Sequence, residues 1–301
     1  MIRRAVRHLR RSLWYIPYRM ARAIPYVVSD SLYIKLMYRF ALGRWPDLDH
    51  PKRFTEKLQW LKLHDRNPLY TRLVDKLAVK EWVEKRIGSG RCFKVLGVWD
   101  RAEDIDFESL PNQFVLKCNH LGGGLVTICR DKSKLGINKI RKEIRWQLKH
   151  NMYWAWREWP YKNVQPKVFA EEYNEDEFGE LRDYKVYCFN GVSKFMLVAS
   201  NRFTTHNLNM FDMDGRPCPF TSADGMPNPS VVVNKEYIQE LKCYAEKLSA
   251  NIPHARVDFY IIRGKIYFGE MTFFDSSGLD NYGSDAADLR LGGLINLPGE
   301  V

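Results

Sequence analysis

The stretch ARVDFYIIRGKIYFGEMTFFDSSG, residues 255–278, carries the strongest structural signal in this chain. It contains two short apolar runs joined at residues 263–265, Arg-Gly-Lys, and a glycine-containing turn between apolar runs is typical of a β-hairpin. Each predicted strand carries one acid, Asp258 in the first and Glu270 in the second. Because a hairpin folds the chain back on itself, we expect these two carboxylates to lie side by side at one end of a sheet.

Two neighbouring carboxylates in partly apolar surroundings repel each other unless a cation or a proton lies between them. Mg²⁺ prefers oxygen ligands and is commonly held by one or two carboxylates together with substrate phosphates. Arg256 precedes Asp258 by two residues, so a strand directs both side chains to one face, where an arginine can bind phosphate. The pair predicts a Mg²⁺ and phosphate site; the alternative is a solvated hairpin with ordinary surface acids.

The composition predicts a folded protein with an anionic partner. The chain has 301 residues, 45% apolar and 14% aromatic, which suffices for one large or two ordinary domains. A net charge of +11 suits a nucleotide, an acidic glycan, anionic lipid or nucleic acid. The six cysteines show no CxxC spacing, which fits a reducing cytosol better than a disulfide framework or a zinc site. No stretch reaches the roughly 18 apolar residues that a membrane span requires.

The N-terminus is strongly basic. Residues 1–29 hold seven arginines and no acid, with aromatic and aliphatic residues between them. This pattern predicts a basic amphipathic helix on an anionic membrane; the alternatives are a helix packed on its own domain, a frayed basic end or a transit peptide. The apolar core and cleavage site of a secretory signal are missing. We expect a cytoplasmic protein, with residues 1–24 as a candidate contact with the inner face of the cytoplasmic membrane.

Apolar periodicity indicates an α+β chain. Helical spacing occurs at residues 31–42, 56–63, 73–86, 137–150 and 235–249. Strands are predicted at 95–98, 114–118, 125–129, 168–173, 183–190 and 194–200, besides the hairpin. Residues 151–161 are predicted to form a loop with aromatic anchors, and residues 201–231 a loop-rich region. Helices and antiparallel strands in mixed order are typical of the α+β class.

A glycine-rich turn follows the strand FVLK, residues 114–117, which ends at Lys117. The turn contains Gly122, Gly123 and Gly124, and glycines let backbone N–H groups approach phosphate oxygens closely. The spacing differs from a P-loop because GxxxxGK[ST] is absent. Taken alone, the triple glycine is equally consistent with a flexible hairpin turn.

The order of these parts resembles the ATP-grasp superfamily, and within it the TupA-like (teichuronopeptide biosynthesis) proteins of bacterial surface polysaccharide loci. The resemblance covers about residues 50 to 295 and is carried by FTEKLQWLKLHDRNPLYTRLVDK, LPNQFVLKCNH, REWPYKN, LRDYKVYCFNG and RVDFY…GKIYFGEMTFFDSSG. It implies an ATP-grasp fold in which two α+β lobes clasp a nucleotide. The expected parts are a basic segment 1–29, a helical region 30–90 and an ATP-grasp domain 91–301, with a nucleotide lobe at about 91–170 and a metal-binding catalytic lobe at about 171–301.

The resemblance also implies a role for each matching residue, with ATP and Mg²⁺ as cofactors. ATP would be bound through its phosphates by Lys76 and Lys117, through a mobile loop of Gly122, Gly123 and Gly124, and through its adenine by Glu171, Glu172 and Tyr173. Related enzymes usually show Glu-x-Asn at the second metal position, where this chain has Glu270-Met271-Thr272. The implied metal ligands are therefore Asp258, Glu270 and the hydroxyl of Thr272, with Arg256 as the catalytic residue beside the phosphates.

Further candidates lie near these motifs. Lys185 follows Asp183 by two residues, so it could face a phosphate or the incoming carboxylate, or form an ordinary surface ion pair. The substrate candidates are Asn119 and His120 beside the glycine turn, and Arg202 and His206 in a polar loop.

The resemblance implies an ATP-dependent carboxylate–amine ligase acting through an acyl phosphate. Its expected substrates are an amino acid or another amine and an acidic sugar, a uronic acid of a capsule or surface polysaccharide. A rival reading is a glycosyltransferase that uses the DxD motif at residues 212–214, although Asp214-Gly215 also predicts a turn. A non-catalytic membrane-bound scaffold is a further alternative. Nucleic-acid binding through Trp154, Trp156 and Trp159 has no supporting motif, and we do not expect it.

Overall fold

The computed structural model describes residues 27–122, 126–202, 204–218, 226–280 and 282–299. The helices are α1 (Asp30–Leu42), α2 (Phe54–His64), α3 (Leu69–Val74), α4 (Ala78–Ile87), α5 (Ile137–Leu148), α6 (Met152–Trp156), α7 (Lys235–Ser249) and α8 (Asp285–Gly292). The strands are β1 (Val95–Trp99), β2 (Phe114–Cys118), β3 (Thr127–Cys129), β4 (Val168–Glu172), β5 (Asp183–Phe189), β6 (Val192–Ser200), β7 (Asn207–Asp212), β8 (His254–Ile262) and β9 (Lys265–Thr272).

The strands form two antiparallel sheets with separate cores. One sheet has the order β1-β4-β2-β3, and it shares a core with the apolar face of α5, including Ile140 and Ile144. The other has the order β7-β6-β5-β8-β9, and its core includes Leu241 of α7 and Leu58 of α2. Helices α2, α3 and α4 therefore pack into the core of the five-stranded sheet.

The β8–β9 hairpin has the predicted geometry. Arg263 and Gly264 form its two-residue turn with φ angles of 49° and 76°, and positive φ at both positions suits the twist of a hairpin. Asp258 is the register partner of Glu270, as the sequence predicts. A bulge follows at Gly269, where a Cβ atom would lie 3.0 Å from the backbone oxygen of Asp258, so this position favours glycine.

One cross-strand row spans the five-stranded sheet. Its members are register partners on successive strands: Met210, Leu197, Lys185, Asp258 and Glu270. Side chains opposite each other in register share a face, and neighbouring strands lie about 4.8 Å apart. This central row is apolar over β7 and β6 and charged over β5, β8 and β9.

Helix α2 fixes the chain that follows β9. The amide of Gln59 donates to the carbonyls of Ser277 and Gly278, both at 2.9 Å, and the ammonium of Lys62 donates to the carbonyl of Ser277 at 2.8 Å. Ser276 and Ser277 have φ angles of 46° and 56°, a left-handed conformation that is unfavourable for these residues. The contacts from α2 hold this segment in that conformation.

The prediction of one helix over residues 73–86 is wrong, because the structure has two helices there, α3 and α4, with a break at residues 75–77. The side chain of Asp75 accepts hydrogen bonds from the backbone of Leu77 at 2.9 Å and Ala78 at 3.2 Å, starting a new helix. In the break between α3 and α4, the backbone N–H of Lys76 donates to the carbonyl of Asn119 at 3.1 Å. The break places Lys76 beside the end of β2.

Three further elements were not predicted: α6, α8 and β7, which lies inside the region expected to be loop-rich. The sequence of β7 contains two asparagines that weaken its strand pattern. The Asn207 amide donates to the carbonyl of Met226 at 3.1 Å, and that of Asn209 to the carbonyl of Asn228 at 2.8 Å. Tertiary contacts thus satisfy the polar positions and allow the strand to form.

None of the helices in the described part of the chain combines the length and the apolarity needed to cross a bilayer. The basic stretch at residues 1–24 and the predicted loop residues Gly123 and Gly124 lie outside the described residues.

The buried His254 makes stability pH-dependent. It is 2% exposed, its Nδ1 lies 3.0 Å from the carbonyl oxygen of Cys188, and burial lowers its pKa to about 4. The unfolded chain therefore binds more protons than the folded one below pH 6.5, and stability is lost as the pH falls from 6.5 to 4. Urea unfolding at pH 7 and at pH 4.5 measures how far the free energy of unfolding falls between these two pH values. We expect this fall to be about 2–3 kcal/mol smaller in His254→Gln than in the unsubstituted protein. His64→Gln at the exposed end of α2 is the matched control, and equal losses in all three proteins would contradict the prediction.

Candidate active site

Asp258 lies at the centre of a charged network on one face of the five-stranded sheet. Its side chain is 1% exposed, and its two oxygens accept hydrogen bonds from Arg256 at 2.7 and 2.8 Å and from Lys185 at 2.5 Å. Lys185 also lies 3.8 Å from Asp183, which pairs with Arg202. Asp183 and Lys185 alternate along β5, as Arg256 and Asp258 do along β8, so these four side chains share a face. Lys185 is therefore part of the charged network around Asp258.

Arg256 joins the acids of the hairpin to an acid that the sequence reasoning missed. It donates to Asp275, which also accepts hydrogen bonds from the hydroxyls of Tyr187 and Tyr282, both at 3.2 Å. It further donates to the hydroxyl of Thr272 at 3.2 Å. Asp275 is 5% exposed. In the sequence, the one indication of a buried functional acid here was its position as the single acid in the run FFDSS, residues 273–277. Burial raises the pKa of Asp275, but Arg256 and His254 together hold it below its usual value.

Glu270 connects this network to the helical region. One carboxylate oxygen lies 3.1 Å from the ammonium of Lys76, and the other lies 3.6 Å from Arg256. The Lys76 ammonium also donates to the carbonyl of Leu121 at 2.8 Å, immediately before Gly122. Burial alone would raise the pKa of Glu270, but Lys76, Arg256 and Lys185 lower it to about 2. The carboxyl group is therefore ionised at neutral pH.

A second charged cluster lies on the four-stranded sheet. Glu171 of β4 is 4% exposed and binds the ammonium groups of Lys117 and Lys80, each at 2.6 Å. Burial alone would raise the pKa of Glu171, but the two lysines lower it by more than burial raises it. The net shift of the pKa is therefore downward. Lys80 was not predicted as a site residue. The signal was its position four residues after Lys76, although the break between α3 and α4 hid which way it points.

Two cavities flank the charged network. The smaller, of about 400 Å³, lies between the sheets and is lined by Lys117 and Glu171 from one sheet and Asp183 and Tyr260 from the other. The larger, of about 610 Å³, lies over the five-stranded sheet. Arg202 lines both cavities, so they meet at this residue.

The other predicted ATP-binding residues lie around the smaller cavity. Glu172 and Tyr173 line it, and the Glu172 carboxylate also accepts the backbone N–H of Lys94 at 3.1 Å. The Tyr173 hydroxyl donates to Glu175 at 2.8 Å. At Gly122, a Cβ atom would lie 3.1 Å from the hydroxyl oxygen of Tyr161, which favours a glycine there.

The four predicted substrate residues separate into two groups. Arg202 and His206 are exposed and line the larger cavity. Asn119 and His120 are buried, and their side chains contact backbone groups: the Asn119 amide donates to the carbonyl of Gln165 at 3.0 Å, and His120 Nε2 lies 3.0 Å from the carbonyl oxygen of His150. These contacts indicate that Asn119 and His120 support the chain beside the glycine turn.

The oxygen donors at the end of the hairpin fit Mg²⁺ in kind: two carboxylates, Asp258 and Glu270, and the hydroxyl of Thr272. They differ in availability. The Glu270 side chain is 32% exposed, with Lys76 on one of its oxygens. Asp258 can act as a ligand only if Arg256 or Lys185 releases one of its oxygens. Glu270 is therefore the more accessible ligand.

The cluster around Glu171 yields a stability prediction. In Glu171→Gln, two partly buried ammonium groups lose their shared carboxylate and repel each other, so the free energy of unfolding should fall by about 2 kcal/mol. Urea unfolding followed by tryptophan fluorescence measures the change. Glu172→Gln makes the same substitution one residue later, at a side chain with fewer contacts, and should change stability by less than about 0.5 kcal/mol. Equal effects of the two substitutions would contradict the importance of the cluster.

Solved structures with a similar arrangement include D-alanine–D-alanine ligase from Bacillus anthracis complexed with ATP, at 15% identity and a TM-score of 0.43, covering 74% of this chain and 63% of that chain. D-alanine–D-alanine ligase from Helicobacter pylori matches at 13% identity with a TM-score of 0.49, and the match covers 81% of this chain and 70% of that chain. L-amino acid ligase from Bacillus licheniformis matches at 9% identity with a TM-score of 0.47, and the match covers 84% of this chain and 57% of that chain. This chain thus spans about 63% of the length of the Bacillus anthracis ligase. No curated protein matches the chain.

A family model gives the assignment. The model described as TupA-like ATPgrasp matches residues 56–296. This match confirms the predicted resemblance and the predicted α+β ATP-grasp fold. Because the match extends over most of the chain, the protein belongs to the TupA-like ATP-grasp family.

Proposed function

We propose that the protein is an ATP-dependent carboxylate–amine ligase that acts through an acyl phosphate. The observation that carries the proposal is the pair of cavities that meet at Arg202, with the charged network between them. The smaller cavity is the proposed nucleotide site. The larger one is the proposed site of the amine, and the carboxylate to be phosphorylated would lie at their junction beside Arg202. Such a reaction requires two substrates to meet at one shielded point, which adjoining cavities allow.

In the proposed nucleotide site, Lys76 and Lys117 bind the phosphates, residues 171–173 contact the adenine and glycines 122–124 close over the nucleotide. Two contacts support this assignment. Lys117 lines the smaller cavity beside Glu171. Lys76 contacts the carbonyl of Leu121, directly before the first of these glycines.

The reaction forms and breaks one bond in each of two steps. A carboxylate oxygen of the acceptor attacks the γ-phosphorus of ATP, and the bond from that phosphorus to the bridging oxygen breaks, which releases ADP. The amine nitrogen then attacks the carbonyl carbon of the acyl phosphate. The carbon–oxygen bond to phosphate breaks, inorganic phosphate leaves and the nitrogen loses a proton. Lys185 and Arg256 are the proposed residues that neutralise the negative charge developing at the junction.

Charge balance supports a role for Mg²⁺. The network contains four cationic residues (Lys76, Lys185, Arg202 and Arg256) and four carboxylates (Asp183, Asp258, Glu270 and Asp275). ATP would add negative charge that this balanced set does not neutralise. When bound, Mg²⁺ supplies that positive charge and orients the phosphates. Glu270, Asp258 and Thr272 are the proposed ligands.

We propose that the carboxylate belongs to an acidic sugar, a uronic acid of a bacterial capsule or surface polysaccharide, and that the other substrate is an amino acid or another amine. The net charge of +11 supports an anionic acceptor. Arg202, which lines both cavities, is a suitable partner for its carboxylate.

The rival glycosyltransferase reading has less support. One oxygen of Asp212 accepts the backbone N–H groups of Asp214 at 2.9 Å and Arg216 at 2.8 Å, so it stabilises a hairpin turn. Asp214 pairs with Arg216 at 3.3 Å. An assay separates the two functions. Release of ADP and phosphate from ATP, dependent on an amine and a uronic acid, supports the ligase. Release of a nucleoside diphosphate from a sugar nucleotide supports the rival.

The metal assignment is tested by Glu270→Gln. The loss of one anionic ligand should weaken Mg²⁺ binding to the ATP-bound protein by roughly tenfold or more and lower kcat by a similar factor. A Mg²⁺ titration of ATP binding and a phosphate-release assay measure the two effects. Glu240→Gln on α7 is the control. If the Glu270 variant folds and turns over ATP normally, the metal assignment is wrong.

We also propose that the protein contacts the inner face of the cytoplasmic membrane through residues 1–24 and the outward side of α1. Leu32 and Phe40, eight residues apart on that helix, are 51% and 57% exposed. Lys35 and Arg39 lie on the same helix and suit anionic headgroups. An exposed apolar stripe with flanking cations is typical of an interfacial helix.

Flotation with vesicles of phosphatidylcholine and phosphatidylglycerol tests this contact. We expect the full-length protein to float and a chain lacking residues 1–24 to remain largely unbound, because the basic attraction is lost. Leu32→Glu with Phe40→Glu should also reduce flotation. Phe178→Glu, at a residue that is 62% exposed elsewhere, is the control. Equal flotation of the full-length and shortened chains would rule out the role of the basic segment.

A further inference from the structure

The larger cavity lies on the face of the five-stranded sheet that carries the central row. The side chains of Leu197, Met210, Lys185 and Arg256 line it from the sheet side. The opposite wall comes from the segment after β9 and from α8, including Asp275 and Leu291. At about 610 Å³, it is the size of a pocket for a drug-sized molecule. A single small group, such as the methyl side chain of alanine, would leave most of this space unfilled.

The half of the cavity over β6 and β7 is apolar. Leu197 and Met210 are neighbours in the central row, and Leu208, two residues before Met210 on β7, also lines the cavity. These side chains neither donate nor accept hydrogen bonds. A sugar ring pressed against them would lose hydrogen bonds to water without replacing them, which is unfavourable. An aliphatic or aromatic group gains free energy by leaving water at the same place.

The other half of the cavity is charged, with both signs present. Lys185 and Arg256 line the cavity from β5 and β8, and Asp275 lies beside Arg256. Arg202 and Arg290 line the cavity as further cations. A ligand that carries both an ammonium and a carboxylate can pair with such a set, whereas a purely apolar ligand would leave these groups desolvated.

The spacing along the central row sets the size of the apolar group. Met210 and Lys185 are two strands apart in the row, which corresponds to about 10 Å. A nitrogen that reacts near Lys185 therefore has room for a side chain that extends over Leu197 as far as Met210. A branched aliphatic or a phenyl group uses this distance.

We propose that this cavity binds the amine substrate, and that this substrate is an α-amino acid with a bulky aliphatic or aromatic side chain. The inference rests on the proposed ligase function and specifies one of its two substrates. The uronic acid then supplies the carboxylate that is phosphorylated, and the amino acid supplies the nitrogen that displaces phosphate.

Binding to the full-length protein tests this substrate class. The protein is first loaded with Mg²⁺ and a non-hydrolysable ATP analogue, and calorimetry follows the titration of L- and D-forms of leucine, phenylalanine, serine and glutamate, and of glucuronate. We expect leucine or phenylalanine to bind at least tenfold more tightly than serine of the same configuration, because the apolar wall discriminates by side-chain burial. The same amino acids should stimulate phosphate release from ATP in the presence of a uronic acid.

A pair of matched variants locates the binding site. Met210→Gln places an amide in the apolar wall and should weaken binding of the apolar amino acid roughly tenfold, with the affinity for the ATP analogue unchanged. Met226→Gln makes the same substitution at a residue that is 75% exposed and outside the cavity, and should leave binding unchanged.

The outcomes separate this inference from the function on which it rests. If the analogue binds but serine or glutamate binds as tightly as leucine and phenylalanine, or if Met210→Gln has no effect on binding, the inference is wrong and the ligase proposal stands. If none of the amino acids binds to the loaded protein, the inference is also wrong. Failure to bind the ATP analogue with Mg²⁺ would overturn the proposed function, and the inference with it.

Discussion

The burial of the Asp258 side chain depends on Arg256 and Lys185, which bind both of its oxygens. An ion transferred from water to a protein interior loses several kcal/mol of hydration, and only close, well-directed partners compensate for that loss. Here Arg256 makes a two-point contact and Lys185 a third. Each of these cations then contacts another acid, Asp275 or Asp183, so the arrangement of the whole face depends on this carboxylate.

The same charges connect parts of the chain that are distant in sequence. Glu270 of β9 pairs with Lys76 between α3 and α4, and Lys76 contacts the chain beyond β2. Lys80 of α4 pairs with Glu171 of the four-stranded sheet. The helical region packs on the five-stranded sheet and is also joined to the four-stranded sheet by an ion pair. A ligand that competes for Lys76 would affect contacts with both sheets.

The hairpin and the pairing of Asp258 with Glu270 could be predicted from sequence because they depend on local alternation and on a two-residue turn. The roles of Lys80 and Asp275 could not. The direction of the Lys80 side chain is set by the break at Asp75, and Asp275 acquires its partners only when Tyr187 and Arg256 approach from other strands. The pattern of β7 was obscured for a related reason, since its asparagines are satisfied by a segment almost 20 residues away.

The turn at Asp275–Gly278 determines what the smallest working version of this protein can be. Its left-handed serines are held by Gln59, a residue 218 positions earlier in the chain, and by Lys62. Closing a loop of this length costs conformational entropy, which these hydrogen bonds and the packing around them must offset. The wall of the larger cavity is thus completed only when the amino-terminal helices dock. A fragment that begins at residue 91 would contain β1 to β9 and would still lack the residues that fix the segment beside the larger cavity.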